Sequence, residues 1–323
     1  MDNLLYPLKF RPILKDKIWG GEKLNQFFNK DSNSKTLGES WEISTVPGDV
    51  SIVANGRLKG ESLQSLLTVY TRFLIGDKNY ERFGKAFPLL IKFIDAKQNL
   101  SIQLHPNDTL AKKRHNAFGK TEMWYVMQAD KDAKLIVGFN EAIDKNKYLK
   151  HLNDKTLSEI LNYDNVKEGD SYFIEAGRVH AIGAGVLLAE IQQTSDITYR
   201  VYDWDRKDHN GNKRKLHNDI AMDAFDFNMK DDFRIDYSKE KNASNAMVNS
   251  PFFTTNYLEI DKKVEKKNNY DSFIIYMCVD GEVEISTASS VEKISKGETV
   301  LLPAAFKNYT LNSDAAKLLE IYV

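Results

Sequence analysis

Gln103, His105, Glu122 and His180 are the residues of this chain whose types and spacing could do chemistry. In SIQLHPND (101–108), strand alternation puts Ser101, Gln103 and His105 on one face and Ile102 and Leu104 on the other. Pro106 ends the ladder, and Asn107-Asp108 starts a turn. Glu122 opens a strand 17 residues after His105, and His180 follows another strand 58 residues later. Two imidazoles and a carboxylate suit Zn²⁺ with a position left for water or substrate, and they suit Fe²⁺ or Mn²⁺ equally. Gln103 offers a neutral carbonyl oxygen and is expected to be the weakest ligand. The other histidines have ordinary surroundings: His115 follows a basic run, His151 sits in a lysine-rich helical pattern, His209 in a Gly-Asn loop, and His217 near a helix start. None of these is assigned chemistry.

The elements that must hold these residues are mostly strands. Segments 41–46, 87–96, 100–105, 122–128, 134–139, 170–176, 185–194 and 196–205 are rich in β-branched and aromatic residues and bounded by turn signals. Helical spacing occurs over 62–87, twice within 141–164, and over 220–227. The polar stretch 228–251 reads as a linker or long excursion. Beyond it come further strands at 254–260, 271–279, 282–287, 299–304 and 316–323, with Asp280-Gly281 as a hairpin signal. A weak repeat aligns 166–180 with 294–308, placing Gly169-Asp170 on Gly297-Glu298 and His180 on Asn308. Segment 122–130 likewise aligns with 272–280, setting Glu122 opposite Ser272 or Phe273. The first copy has candidate ligands that the second lacks, which points to one site and one scaffold.

Composition bounds the rest. The chain has 323 residues with 45 basic and 46 acidic side chains, a net charge of −1. That balance gives no reason to expect nucleic acid or an anionic membrane as partner. The sequence has no apolar run long enough to span a bilayer and no signal-peptide pattern at its start. The single cysteine, Cys278, excludes an internal disulfide and a cysteine-rich zinc site, so a cytoplasmic location is expected.

The motifs LSIQLHPND, GKTEMWYV, EAGRVHAIGAG and QQTSDITYRVYDWDR, with WGGEKL and LGESWEIS before them, resemble those of the type I mannose-6-phosphate isomerases in their short bacterial form. The resemblance implies a mainly β fold of two cupin-type jelly-roll barrels with a few short helices. It suggests a metal-binding unit over 1–230 and a C-terminal unit without ligands over 231–323. It implies one Zn²⁺ held by Gln103, His105, Glu122 and His180, and interconversion of mannose 6-phosphate and fructose 6-phosphate. The family's active-site arginine falls on Arg200, which shares a strand face with Asp196, Thr198 and Tyr202. Its acid–base candidates fall on Glu190 and Asp196, and nothing in the sequence chooses between them. Lys120 and Ser101, two residues before Glu122 and Gln103, are implied as phosphate contacts, with Lys120 also counted among the catalytic residues. One departure stands out: longer members carry a histidine just before the lysine, and here that position is Gly119.

Two other readings follow from the same residues. Two histidines and a carboxylate could hold Fe²⁺ for O₂ chemistry, although Arg200, Lys120 and Ser101 form an anion-directed set which that chemistry does not need. A sugar-phosphate-binding module without turnover is the non-enzymatic alternative. The expected partner is a small phosphosugar, and the expected assembly a monomer or weak homodimer.

Overall fold

A computed structural model of the chain describes residues 5–208, 210–230 and 232–323. His209 lies outside the described residues. The fold is mainly β, as expected, and its strands form two barrels. The first barrel has a six-stranded sheet in the order Ile13–Gly21, Leu37–Ile43, Leu89–Ala96, Val186–Gln193, Glu122–Ala129, Ser171–Ile174. Facing it is a five-stranded sheet in the order Tyr199–Tyr202, Ile102–Leu104, His180–Ile182, Lys134–Phe139, Leu161–Asn165. The second barrel is built around the long strand Ile274–Ser286, which pairs with Ala316–Tyr322, Asn308–Asn312, Val291–Ser295 and Thr299–Leu302.

Strand alternation separates two cores. Leu89, Ile91 and Phe93 pack outward with Ile275, Met277, Leu301 and Leu319 of the second barrel. Helix Leu63–Ile75 covers the same layer with Leu63, Leu66, Leu67, Tyr70 and Leu74. The alternate residues point into the first barrel, where Ile94, Val126, Val186 and Leu188 form one apolar core. Along the same inward rows the side chains turn polar: Lys92, Glu190, Gln192 and Glu122. A barrel apolar in one part and polar in another is a cup with a floor.

Several expectations are corrected. Asp280-Gly281 does not turn a hairpin. The strand runs through it as Ile274–Ser286, with a register shift between Cys278 and Asp280 and Gly281 at φ 71°. The bulge falls at Val279 and Gly281 stays paired with Ala316, so the chain passes through the left-handed residue without reversing. The second helical pattern of 141–164 is a 3₁₀ turn, Leu157–Ile160, followed by strand Leu161–Asn165. The 62–87 pattern divides into Leu63–Ile75 and Asp77–Phe83. The helix of 220–227 is only Asn218–Ala221, and its aromatics Phe225 and Phe227 stack instead on Phe139. Segment 228–251 is anchored at several described residues: Phe233 is buried, Ile235 N–H donates to Ser171 O at 2.8 Å, and Asn245–Asn249 is a strand.

The repeat is visible in matching turns. Gly169 N–H donates to Val126 O and Val126 N–H to Asp170 O, just as Gly297 N–H donates to Cys278 O and Cys278 N–H to Glu298 O. His180 and Asn308 each open a strand. Ladder pairing corrects the second alignment. Glu122 pairs with Ile174 and Ile274 with Leu302, so Glu122 corresponds to Ile274 and not to Ser272 or Phe273.

Candidate active site

His105, Glu122 and His180 converge, with donor atoms all within 4.8 Å of one another. The two imidazoles belong to the five-stranded side and the carboxylate to the six-stranded side, so closing the barrel brings them together. His180 and Gln103 are ladder partners, and Arg200 pairs with Gln103 from the other side. All three clustered residues are buried. His105 Nε2 is 3.5 Å from one Glu122 oxygen and His180 Nε2 is 3.4 Å from the other. Gln103 is half-buried, its amide nitrogen 3.4 Å from His180 Nε2.

Each ring is oriented from behind. His105 Nδ1 bonds the Ile197 carbonyl at 2.9 Å, and His180 Nδ1 bonds the Arg178 carbonyl at 2.8 Å. A carbonyl can only accept, so the proton sits on Nδ1 and Nε2 keeps its lone pair for the cluster. Burial, then the Lys120 ammonium, pushes His105 down to about 3, and burial lowers His180 as well. Burial alone would raise the Glu122 carboxyl, but Lys120 first and the two histidines next hold it well below the usual range. Neutral imidazoles and an ionised carboxylate are the ligand forms a divalent cation needs. His105 Nε2 and both Glu122 oxygens are buried without a hydrogen-bond partner. The residues therefore fit a metal ion.

The cluster borders a cleft of about 340 Å³ lined in part by Lys92, Ser101, Gln103, Lys120, Glu190, Asp196 and Arg200. Six of the expected residues line this cleft, and His105, Glu122 and His180 lie behind it, in contact with its lining through Gln103 and Lys120. Lys120 is buried with its ammonium 3.1 Å from Glu122 Oε2. Ser101 Oγ accepts from Arg200 Nε at 3.3 Å. Glu190 is buried and accepts from Lys92 Nζ and Trp124 Nε1, both at 2.9 Å. Asp196 is exposed at the edge. Of the histidines given no chemistry, His115 bonds Tyr199 OH, His151 bonds Thr156 Oγ1, and His217 Nδ1 accepts the Arg200 N–H.

The sequence reading missed one wall. Lys92, Glu39 and Trp41 line the cleft from strands Leu89–Ala96 and Leu37–Ile43. Burial acts to lower Lys92, but Glu190 and Glu39 outweigh it and leave it raised. Burial acts to raise Glu39, but Lys92 and Lys17 outweigh it and leave it lowered. Asn107-Asp108 also does more than end a strand. Asn107 caps helix Asp108–His115 by accepting the Leu110 N–H, and Asp108 accepts the Gly119 N–H at 2.8 Å. Lys120 N–H then bonds Pro106 O, so this corner sets where Lys120 stands. A Cβ on Gly119 would lie 2.5 Å from Asp108 N, so this corner has no room for a histidine without a shift of the backbone.

The family model for the phosphomannose isomerase type I catalytic domain matches residues 7–135. The model for the mannose-6-phosphate isomerase cupin domain matches 243–323. Mannose-6-phosphate isomerase of Streptococcus mutans is 35% identical over 319 residues, covering 95% of this chain and 96% of its own. The chain belongs to the type I mannose-6-phosphate isomerase family. Its members are aldose–ketose isomerases, and so is this enzyme. Mannose-6-phosphate isomerase ManA of Bacillus subtilis is 33% identical over 312 residues, covering 96% of each chain. The crystal structure of the Bacillus subtilis mannose 6-phosphate isomerase superposes with a TM-score of 0.89 at 32% identity, covering 99% of this chain and all of that one.

Proposed function

We propose that the chain interconverts D-mannose 6-phosphate and D-fructose 6-phosphate by proton transfer between C1 and C2 through an enediol(ate). The observation that carries this reading is the convergence of buried His105, Glu122 and His180 donor atoms, with His105 Nε2 and Glu122 Oε1 lacking a hydrogen bond, beside a cleft that also presents Arg200 and Glu190. We assign the metal as zinc, one per chain, with His105, Glu122 and His180 as ligands and Gln103 as the fourth. Bound there, the ion supplies Lewis-acid polarisation of a sugar oxygen. Arg200 provides fixed positive charge for the enediolate or the phosphate. Lys120, against Glu122, belongs to the reacting end, and Ser101, against Arg200, to the phosphate. Of the two acid–base candidates we favour Glu190, since Asp196 is exposed where water competes with substrate. Glu190 lies in the cleft wall, its carboxylate hydrogen-bonded to Lys92 at 2.9 Å. The same reading divides the chain into 1–230, with the metal, and 231–323, without it. A reducing cytoplasm suits a buried free thiol at Cys278.

The test is metal analysis of the purified protein with an isomerisation assay before and after chelation. We expect about one zinc per chain, turnover of mannose 6-phosphate, loss with chelator, and return with zinc. Metal-replete protein without turnover sinks the isomerase reading. Stoichiometric iron with O₂ uptake would replace it by the oxygenase.

A further inference from the structure

The cleft's cations are not all alike. Four lysines each face a carboxylate of their own: Lys15 Asp49, Lys17 Glu39 at 3.3 Å, Lys92 Glu190 at 2.9 Å, and Lys120 Glu122 at 3.1 Å. The arginine end is different. Arg206 and Arg214 share one buried carboxylate, Asp203, and Arg200 has no acid of its own among the described residues. Arg200 is bonded to Ser101 Oγ and to the Lys215 carbonyl. Three guanidiniums around one carboxylate leave uncompensated positive charge at this end. Asp196, the remaining acid of the lining, is exposed.

Arg214 arrives there by the chain's return. After strand Tyr199–Tyr202 the backbone turns, with a bridge between Lys207 and Lys213, and comes back beside the strand it left. His217 N–H donates to Arg200 O at 2.7 Å, Arg200 N–H donates to His217 Nδ1 at 3.1 Å, and Arg200 Nη1 donates to Lys215 O at 2.9 Å. Asp203 then grips Arg214 at two points, Nε to Oδ2 at 2.7 Å and Nη2 to Oδ1 at 2.5 Å. That fork fixes the guanidinium plane and leaves Nη1 without a hydrogen-bond partner among the described residues. Arg200 Nη2 is likewise left without one. Both arginines line the cleft, together with Ser101. Burial first, and Arg214 next, hold Arg200 below its usual range, and the single carboxylate nearby, Asp203, does not offset them. Asp203 does not require Arg214 for neutralisation, because Arg206 already pairs with it at 2.8 Å.

We propose that Arg214, braced by Asp203 on this return segment, is a second phosphate-binding guanidinium that works with Arg200 and Ser101 and makes the enzyme selective for a phosphorylated sugar. A phosphate dianion presents three equivalent acceptors, and two guanidinium edges and a hydroxyl match them. The inference rests on the isomerase reading for its substrate, but its first test does not need turnover.

Inorganic phosphate is titrated calorimetrically into metal-replete wild type, R214Q, R214K and K213Q. Lys213 is the control: exposed, on the same segment, paired with Asp205 and absent from the cleft lining. R214Q should weaken phosphate binding and raise KM for mannose 6-phosphate about tenfold or more, with kcat within about threefold, while K213Q changes each by less than about twofold. R214K keeps the charge without the fork and should recover part of the loss. Unchanged phosphate affinity in R214Q, an equal loss in K213Q, or a wild type that binds no phosphate overturns the proposal. A wild type that binds phosphate through Arg214 but turns nothing over would overturn the isomerase reading alone.

Discussion

His105 Nε2 and Glu122 Oε1 are buried polar atoms on facing side chains with no hydrogen-bond partner, and Glu122 Oε2 has only the Lys120 ammonium at 3.1 Å. A buried group left unsatisfied costs about 1–3 kcal/mol, more if charged, so the fold holds them together at a price a cation would offset. Groups that only orient a metal ligand change affinity by about 10- to 100-fold, so removing a ligand should do more. We expect H180A to retain metal at least ~100-fold more weakly and to lose activity, with Q103A the mildest of the four ligand changes. Metal competition with a chromophoric chelator ranks them, and a Q103A defect as large as that of H180A would contradict the order. The His105, Glu122 and His180 cluster was legible because histidines are few in this chain and all three sit at strand starts or ends. Lys92 was less so. Its signal was a lone lysine inside the apolar run FPLLIKFIDA, a position that must be either edge or site. Glu39 and Trp41 had no such signal, since LGESWEIS alternates like any half-buried strand and only barrel closure carries it to the cleft.

At the scale of elements, Gly281 shows how a local signal can be right about the residue and wrong about the structure. Asp-Gly marks a left-handed residue, and Gly281 is left-handed at φ 71°. Whether the chain then reverses depends on what the flanking strands pair with. Here Cys278 pairs with Leu318 and Gly281 with Ala316, so one strand continues along one partner through a bulge. A Cβ at Gly281 would lie 2.0 Å from the Ala315 carbonyl oxygen. We expect G281A to lose about 2 kcal/mol or more, the sum of left-handed strain and a backbone clash, read as a shift of the urea midpoint. A midpoint shift under about 0.5 kcal/mol would mean that the bulge relaxes freely. The helices missed at Lys23–Phe28 and Asp108–His115 had another cause. The second has one buried residue, Ala111, so no apolar stripe announces it, and its cap was read as a turn because both begin with the same asparagine geometry.

At the scale of the whole molecule, the two barrels solve one problem in two ways. Glu190 pairs with Trp124 in the first and Glu320 with Tyr276 in the second, so the two buried carboxylates stand at matching places in the repeat. The first faces a cleft. The second is closed in: Glu320 accepts from Tyr276 OH, Asn256 Nδ2 and Ser244 Oγ, and its Oε1 lies 2.7 Å from Lys266 Nζ. With Ile274 and Asn308 where the first barrel has Glu122 and His180, the second barrel shows no matching His/Glu cluster among the described residues, and its polar interior is held by an ion pair. Burial acts to raise the Glu320 carboxyl, but Lys266 first, with its hydrogen-bond donors, outweighs it and leaves it lowered. The sign follows: a carboxylate with a depressed folded-state pKa contributes stability that is complete above its ordinary value near 4.5 and is lost as pH falls through the lower folded value. Removing one partner of a buried pair costs about 3–5 kcal/mol, so E320Q, which keeps the shape and some hydrogen bonds, should lose about 2–4 kcal/mol at pH 7. The deficit should shrink below pH 4, where the wild type gives up the same contribution. Urea unfolding of both proteins at pH 7 and at acid pH measures it, and a deficit that grows on acidification would reverse the assignment of Glu320 as the charged partner.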